Sequence, residues 1–331
     1  MFRRALIAIL LGITMVFTNT AFAVDNSQSP TFEGWLKAFK KEARLKGISE
    51  ATLKDSLENV ELLPRVIELD RNQPEFKLNF SEYYRRVASP ERIAKGQEML
   101  KEHHALLTEI EQKYGVQSRF IVALWGMETD FGRITGGFSV INALVTLAYD
   151  GRRSSFFRKE LIEALKIIDA GHVDAQGMIG SWAGAMGQTQ FMPSTFTGNA
   201  VDFDGDGKIN VWGSRADALA SGSNYLAKSG WKHTQTWGRE VALPDRFNKA
   251  AIGQGVKKTV SEWSRLGVTK LNGEHLGASN LRASVIEIEG QPNRYFLIFD
   301  NYRAILKWNR STHFATTVGL LADAIAGKQI D

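Results

Sequence analysis

Over most of the span from Thr31 to Ala170, apolar residues return every three or four positions. That spacing commits much of this 331-residue chain to helices packed on one another. Phe32, Trp35, Leu36 and Phe39 open a helical stretch that continues to Val87. Gly47-Ile48-Ser49 interrupts it, with Ser49 placed to cap the next helix. Ser89-Pro90-Glu91 is a strong helix start, combining an N-cap serine, proline at the first helical position and an acid in the first turn. The stripe Ile93, Met99, Leu106, Ile110 and Tyr114 predicts one long amphipathic helix ending near Gly115. Another is predicted from Ser118 to Gly132, and a third from about Ser154 to Ala170, with Gly171 as its stop.

The pattern then changes twice. Residues 177–215 are dense in glycine and read as a structured loop region crossed by short helical turns, before a helix resumes near Ala216 with Leu219, Gly222, Tyr225 and Leu226 on one side. Between Thr234 and Asp300, Ser284–Glu289 alternates and Tyr295–Phe299 is rich in β-formers. Gly290-Gln291-Pro292-Asn293 separates them, which predicts a hairpin. Ser311 caps a last helix carrying Phe314, Val318, Leu321 and Ile325. There are no internal repeats or low-complexity tracts. The expected fold class is mainly α (α+β), a helical body with a small β unit inserted late.

A length of 331 residues allows about two structural units, at roughly 100–200 residues each. With 23% charged and 10% aromatic residues the chain is neither disordered nor a fibrous repeat. The absence of cysteine excludes disulfides, thiolate metal sites, a cysteine nucleophile and a lipidated N-terminal cysteine. A net charge of +5, not gathered into a basic block, gives no case for nucleic acid. Arg3 and Arg4, the apolar run Ala5–Phe17 and the small residues Ala21 and Ala23 fit a secretory signal peptide over residues 1–23, cleaved after Ala23. The alternative is a membrane anchor, but the apolar run falls short of the about 20 residues that a spanning helix needs. Residues 24–30 form a polar lead-in. An exported chain without cysteine or anchor suits the envelope of a bacterium.

One residue breaks the helical pattern in a chemically suggestive way. Ile121, Leu124 and Trp125 form the apolar stripe of the Ser118–Gly132 helix, and the next position on it is Glu128. Desolvation there favours the neutral carboxyl, and so does the nearby helix C-terminus, as a general acid requires. The structural alternative is a rim glutamate that reaches solvent or pairs with an arginine. Asp130 is expected on another face and offers no obvious second carboxylate.

Asp202, Asp204 and Asp206 stand at alternate positions with Gly207 sixth, as in the first part of an EF-hand calcium loop, and Lys208 occupies the seventh position, which contributes a backbone carbonyl. Gly213 replaces the usual twelfth-position glutamate, and Asp217 is the nearest later acid that could substitute. An Asp/Gly-rich turn without metal is the alternative. Ser181-Trp182-Ala183-Gly184-Ala185-Met186-Gly187-Gln188-Thr189-Gln190-Phe191-Met192-Pro193 combines small residues with hydrogen-bonding side chains, either to admit a ligand close to the backbone or merely to pack tightly.

In order, Ala123–Gly132, Gly180–Pro193, Asp202–Trp212 and Asn309–Thr312 resemble the B-type lytic murein transglycosylases, glycoside hydrolase family 103. The resemblance covers nearly the whole chain after residue 23. It implies a lysozyme-like helical catalytic core (89–233, including the calcium loop), an N-terminal helical region (24–88), a small β-containing domain (234–300) and a segment returning to the helices (301–331). It implies Glu128 as the family's only catalytic carboxyl group, Arg152 and Arg153 as an arginine pair at the glycan groove, and Ser181, Gln190, Tyr225, Trp308 and Asn309 as sugar-contacting positions. It further implies one structural calcium ion held by Asp202, Asp204, Asp206, Lys208 and Asp217, with no cofactor for catalysis.

Three positions depart from the family pattern. Trp308 stands in place of a tyrosine, so the aromatic contact is expected to persist and the hydroxyl's interaction to be lost. Gln188-Thr189 replaces a Tyr-Gly pair, and one residue is inserted before Asp217.

The expected activity is non-hydrolytic cleavage of peptidoglycan glycan strands between N-acetylmuramic acid and N-acetylglucosamine, leaving 1,6-anhydromuramoyl ends, in a Gram-negative periplasm. Most glycosidases use two carboxyl groups; the lack of an evident second one fits this chemistry. A water-using muramidase, a peptidoglycan-binding scaffold with a dead cleft and a calcium sensor are the competing readings. The last is weakened because a single loop is present and its final glutamate is missing.

Overall fold

The computed structural model describes residues 31–72 and 78–328, so the signal-peptide reading and the polar lead-in lie outside the described residues. The described chain is mainly helical, with small sheets, as expected. Its N-terminal helices are α1 (Phe32–Leu45), α2 (Glu50–Leu57), α3 (Pro64–Arg71) and α4 (Phe80–Val87). Ser49 caps α2 by accepting the Thr52 N–H, as its position predicts.

The single long helix expected over 90–114 is two: α5 (Pro90–Glu102) and α6 (His104–Tyr114), broken at His103. No glycine or proline marks the break. The His103 ring lies 5.8 Å from that of Trp125, and this tertiary contact overrides local helix preference. The body continues through α7 (Ser118–Thr129), α8 (Val140–Asp150), α9 (Ser154–Asp169), α10 (Pro193–Asn199), α11 (Arg215–Lys228), α12 (Val260–Arg265), α13 (Asp300–Trp308) and α14 (Thr312–Ile325).

Two apolar clusters build the helical body. In one, α5, α6 and α7 pack with α11, α13 and α14 around Phe120, Trp125, Leu219, Tyr302 and Leu321. In the other, α1, α2 and α3 pack with α8 and α9 around Phe39, Leu57, Val66, Leu144 and Leu165. Tyr225 and Trp308 pack against both clusters and so mark the seam between them.

Within the helical body two short strands, β1 (Phe138–Ser139) and β2 (Ile179–Gly180), pair antiparallel. The predicted hairpin follows as β5 (Arg282–Glu287) and β6 (Tyr295–Ile298), antiparallel with Val285 opposite Leu297. It belongs to a four-stranded sheet with β3 (Gly238–Val241) and β4 (Lys258–Thr259), in the order β3-β6-β5-β4. Every residue of β6 is buried, because alternate side chains serve different cores. Tyr295 and Leu297 join Trp263 and Val285 in the sheet's own cluster, whereas Phe296 and Ile298 face the helices.

The chain enters and leaves this sheet at one clamped point. Asn301, fully buried, accepts the Lys232 N–H at 2.7 Å and donates to the carbonyls of Lys232 and Gln235, while Phe299 N–H bonds the Trp237 carbonyl at 2.9 Å. Among the described residues no helix is long and apolar enough to cross a membrane.

Candidate active site

Helix α7 is buried on nearly every side from Phe120 to Gly126, wider than the stripe that its sequence suggests. It stops at Thr129, one residue beyond Glu128, with Asp130 as its C-cap. Asp130 and Phe131 adopt left-handed φ values of 51° and 59°, costly for residues with a side chain, and Gly132 follows at 81°. Arg92 at 3.5 Å and Arg133 at 2.6 Å hold the Asp130 carboxylate. Phe131 packs its ring over Gly126, where a Cβ would lie 2.7 Å from Phe131 Cζ. Asp130 is thus engaged in ion pairs and takes no part in the Glu128 pocket.

Glu128 is part-buried and lines a small, mostly apolar gap together with Leu124, Thr189, Gly222 and Trp308. Burial pushes its pKa up to about 7, opposed by a hydrogen bond from the Trp308 indole N–H to Oε1 at 2.9 Å. The carboxyl is therefore poised between acid and base near neutral pH. The polar contact expected to vanish with the tyrosine hydroxyl is instead supplied by an indole donor.

Trp308 is wedged in place. Its ring centroid lies 5.3 Å from that of Phe191 and 5.2 Å from that of Tyr225, and Gly222 leaves room for its edge. Tyr225 donates its hydroxyl to the Lys307 carbonyl at 2.6 Å, tying α11 to the end of α13.

The 180–191 loop forms the next wall, folded on itself by bridges from Met186 to Gly180 and to Phe191. A Cβ on Gly180 would sit 2.1 Å from the Ala185 carbonyl oxygen, so a larger residue would force this turn open. Ser181 Oγ accepts the Ala185 N–H at 3.0 Å, and Gln190 donates its amide to the carbonyls of Thr135 and Gly187, both at 3.0 Å. Asn309, exposed just beyond Trp308, accepts the Ser311 N–H at 3.0 Å.

Two neighbours carried no such role in the sequence. Gln188, buried, accepts the Trp125 indole N–H at 3.0 Å, and its carbonyl accepts the Thr129 hydroxyl at 2.9 Å, which locks the loop to α7 on both sides of Glu128. Asp70, 2% exposed, pairs with Arg153 and with Arg152 at 3.2 Å, and its carbonyl accepts from Arg152 at 2.8 Å. The arginine pair is therefore held by α3, in a cluster separate from the Glu128–Trp308–Tyr225 group. An acid four positions after the buried Val66 was the available signal, the same kind that singles out Glu128.

In the acidic loop, Asp202, Asp204 and Asp217 bring carboxylate oxygens within 4.8 Å of one another. Asp217 is fully buried at the start of α11 and accepts N–H groups from Phe203 and Asn210, both at 2.7 Å. Among the described residues no lysine, arginine or histidine pairs with these three acids. Hard oxygens without a protein countercharge fit a calcium ion. Asp206 stands outside the group, with Oδ1 accepting the Lys208 N–H at 2.8 Å.

Comparison with known proteins gives a consistent picture. The family model described as a transglycosylase SLT domain matches residues 31–323. Membrane-bound lytic murein transglycosylase B of Escherichia coli is 34% identical over 249 residues, 74% of this chain and 66% of that protein, so the chain spans just under two thirds of that relative's length. SltB3 from Pseudomonas aeruginosa, solved with NAG-anhNAM-pentapeptide, superposes with a TM-score of 0.87 at 45% identity, covering 90% of this chain and 80% of that one. The Escherichia coli lytic transglycosylase SLT35 in complex with calcium gives a TM-score of 0.76 at 29% identity, covering 91% of this chain and 94% of that one. The chain belongs to the transglycosylase SLT domain family, and its architecture is similar to that of the B-type lytic murein transglycosylases its motifs resemble.

Proposed function

We propose that this protein is a periplasmic lytic transglycosylase that cleaves peptidoglycan glycan strands without water, with Glu128 as both acid and base. The observation that carries the reading is a lone carboxyl group, buried to a pKa of about 7, on a groove between two helical cores. Protonated Glu128 gives its proton to the bridging oxygen as the C1–O bond of N-acetylmuramic acid breaks. The sugar's own N-acetyl group stabilises the positive charge at C1. The resulting carboxylate removes the proton from the muramoyl C6 hydroxyl, whose oxygen bonds to C1 and closes the 1,6-anhydro ring. Glu128 ends the cycle protonated, and the internal nucleophile supplies the high effective molarity of an intramolecular attack.

Ser181, Gln190, Tyr225 and Asn309 are the sugar-contacting side chains of this reading, and Arg152 with Arg153 serve the strand further along. Digestion of sacculi in heavy-oxygen water is the test. Mass spectrometry should find 1,6-anhydro ends free of solvent oxygen; labelled reducing ends would identify a muramidase instead.

One calcium ion held by Asp202, Asp204 and Asp217, with the Lys208 carbonyl, would offset much of the loop's negative charge and fasten it to α11. Its role is structural. At free calcium a hundredfold above Kd such an ion adds about 2.7 kcal/mol of stability. Chelation is therefore expected to lower the melting temperature, with recovery on adding calcium but not on adding sodium; an unchanged melting curve would remove the ion from the assignment. The signal peptide over residues 1–23 and a periplasmic location belong to the same proposal, supported by the n-region, apolar run and small residues before Val24.

A further inference from the structure

We propose that Trp308 is a positioning residue that decides which oxygen of Glu128 carries the transferable proton. The inference rests on the acid–base reading of Glu128 given above. An indole N–H donates and cannot accept. With Nε1 held 2.9 Å from Oε1, a proton on Oε1 would confront another hydrogen, so the acid form carries its proton on Oε2. A hydroxyl in the same place could rotate to accept from the acid, stabilising an arrangement in which the proton faces the protein. Indole removes that unproductive form.

The wedge around the ring gives the donor a fixed direction. Phe191 and Tyr225 contact its faces and edge, Gly222 admits its far end, and the Tyr225 hydroxyl bonds the carbonyl of the preceding residue, Lys307. The same bond favours the carboxylate that follows proton transfer, so one contact supports both halves of the cycle without moving. The charges nearby do not compete. The residues lining the gap from α7, the 188–190 segment, α11 and α13 are uncharged apart from Glu128. Asp130 is paired with Arg92 and Arg133, and burial raises the pKa of Tyr225, leaving its hydroxyl neutral.

Replacement of Trp308 by 3-benzothienylalanine puts sulfur in place of the N–H at almost unchanged shape; Trp308→Phe is the encodable counterpart. The resting enzyme without substrate is titrated by infrared difference against Glu128→Gln, so that the coupling is read apart from the reaction catalysed. Hydrogen bonds to charged groups are worth enough that the Glu128 midpoint is expected to move up by about one pH unit in both variants. The pH profile of kcat should move with it. At neutral pH more of the variant is protonated, yet kcat should fall by about tenfold because the proton is no longer confined to Oε2. KM should change little, a split that marks an effect on proton transfer and not on sugar binding. An unmoved midpoint and kcat profile, with KM raised, would make Trp308 a sugar-stacking platform and overturn the proposal. Solvent-labelled reducing ends from the unmodified enzyme would refute the transglycosylase reading separately, without touching the infrared result.

Discussion

Exchange of Glu128 for glutamine is expected to reduce the release of muropeptides from sacculi by at least about 10²–10⁴-fold, the usual worth of general acid–base catalysis. The side chain keeps its size, and its amide oxygen can still accept from Trp308, so strand binding should survive in a sedimentation assay. The same substitution has a signed effect on stability. The folded protein holds the Glu128 proton up to about pH 7, whereas the unfolded chain releases it near 4.5. The protonated carboxyl's contribution is therefore full below pH 4.5 and is lost as pH rises through 7. Above that, the charged form costs about 2–3 kcal/mol, which Gln avoids. Melting temperatures of the two proteins should converge at pH 4 and separate at pH 8, with the variant higher. Full activity in the glutamine variant would point to another catalytic group; equal melting at both pH values would mean the carboxyl is more solvated than its surroundings indicate.

Phe296→Ala is expected to be the most damaging single truncation at the junction of sheet and helices. The ring is fully buried, with its centroid 6.5 Å from that of Phe80 and 5.8 Å from that of Trp237. Arg294, paired with Glu240 through two 2.9 Å bonds, lies over both phenylalanine rings. Loss of a buried phenylalanine side chain typically costs about 3–5 kcal/mol. Because Phe296 faces the helices and Leu297 the sheet's own core, the two alanine variants should differ in kind. Limited proteolysis should find new cleavage around α4 and the 288–294 turn that touches it in Phe296→Ala, and within residues 243–281 in Leu297→Ala. Identical fragment patterns would mean that the two faces unfold as one unit.

Much of this was readable before any coordinates. Caps and stops such as Ser49, Ser89-Pro90 and Gly171 act locally, so their helices begin and end where the residues indicate. Glu128 stood out because a carboxylate on an apolar stripe is rare and costly. Helix α8 gave no periodic signal: it is buried almost throughout and has no polar face to contrast with an apolar one. The break at His103 depends on Trp125, 22 positions away in the chain and therefore invisible to any local rule. Trp308 is the sharpest case. Its aromatic character was evident, but the direction of its N–H is set by Phe191, Gly222 and Tyr225 together, and only the folded chain brings those into one place.

The Asn301 clamp has a consequence for how this architecture can change. Because the strands depart and return through one hydrogen-bonded gate, the length of polypeptide between the two sides is nearly independent of the helices below. Closing a longer loop costs little, about 0.6 kcal/mol for each doubling. The exposed turn at Asn272-Gly273 takes no part in the cluster that Phe296 and Ile298 share with the helices, and can accept inserted sequence. Growth there would add new surface to the sheet unit while leaving Phe296, Trp237 and the gate untouched. The sheet is in this sense a graft site, where a lineage can acquire attachments without redesigning its catalytic helices.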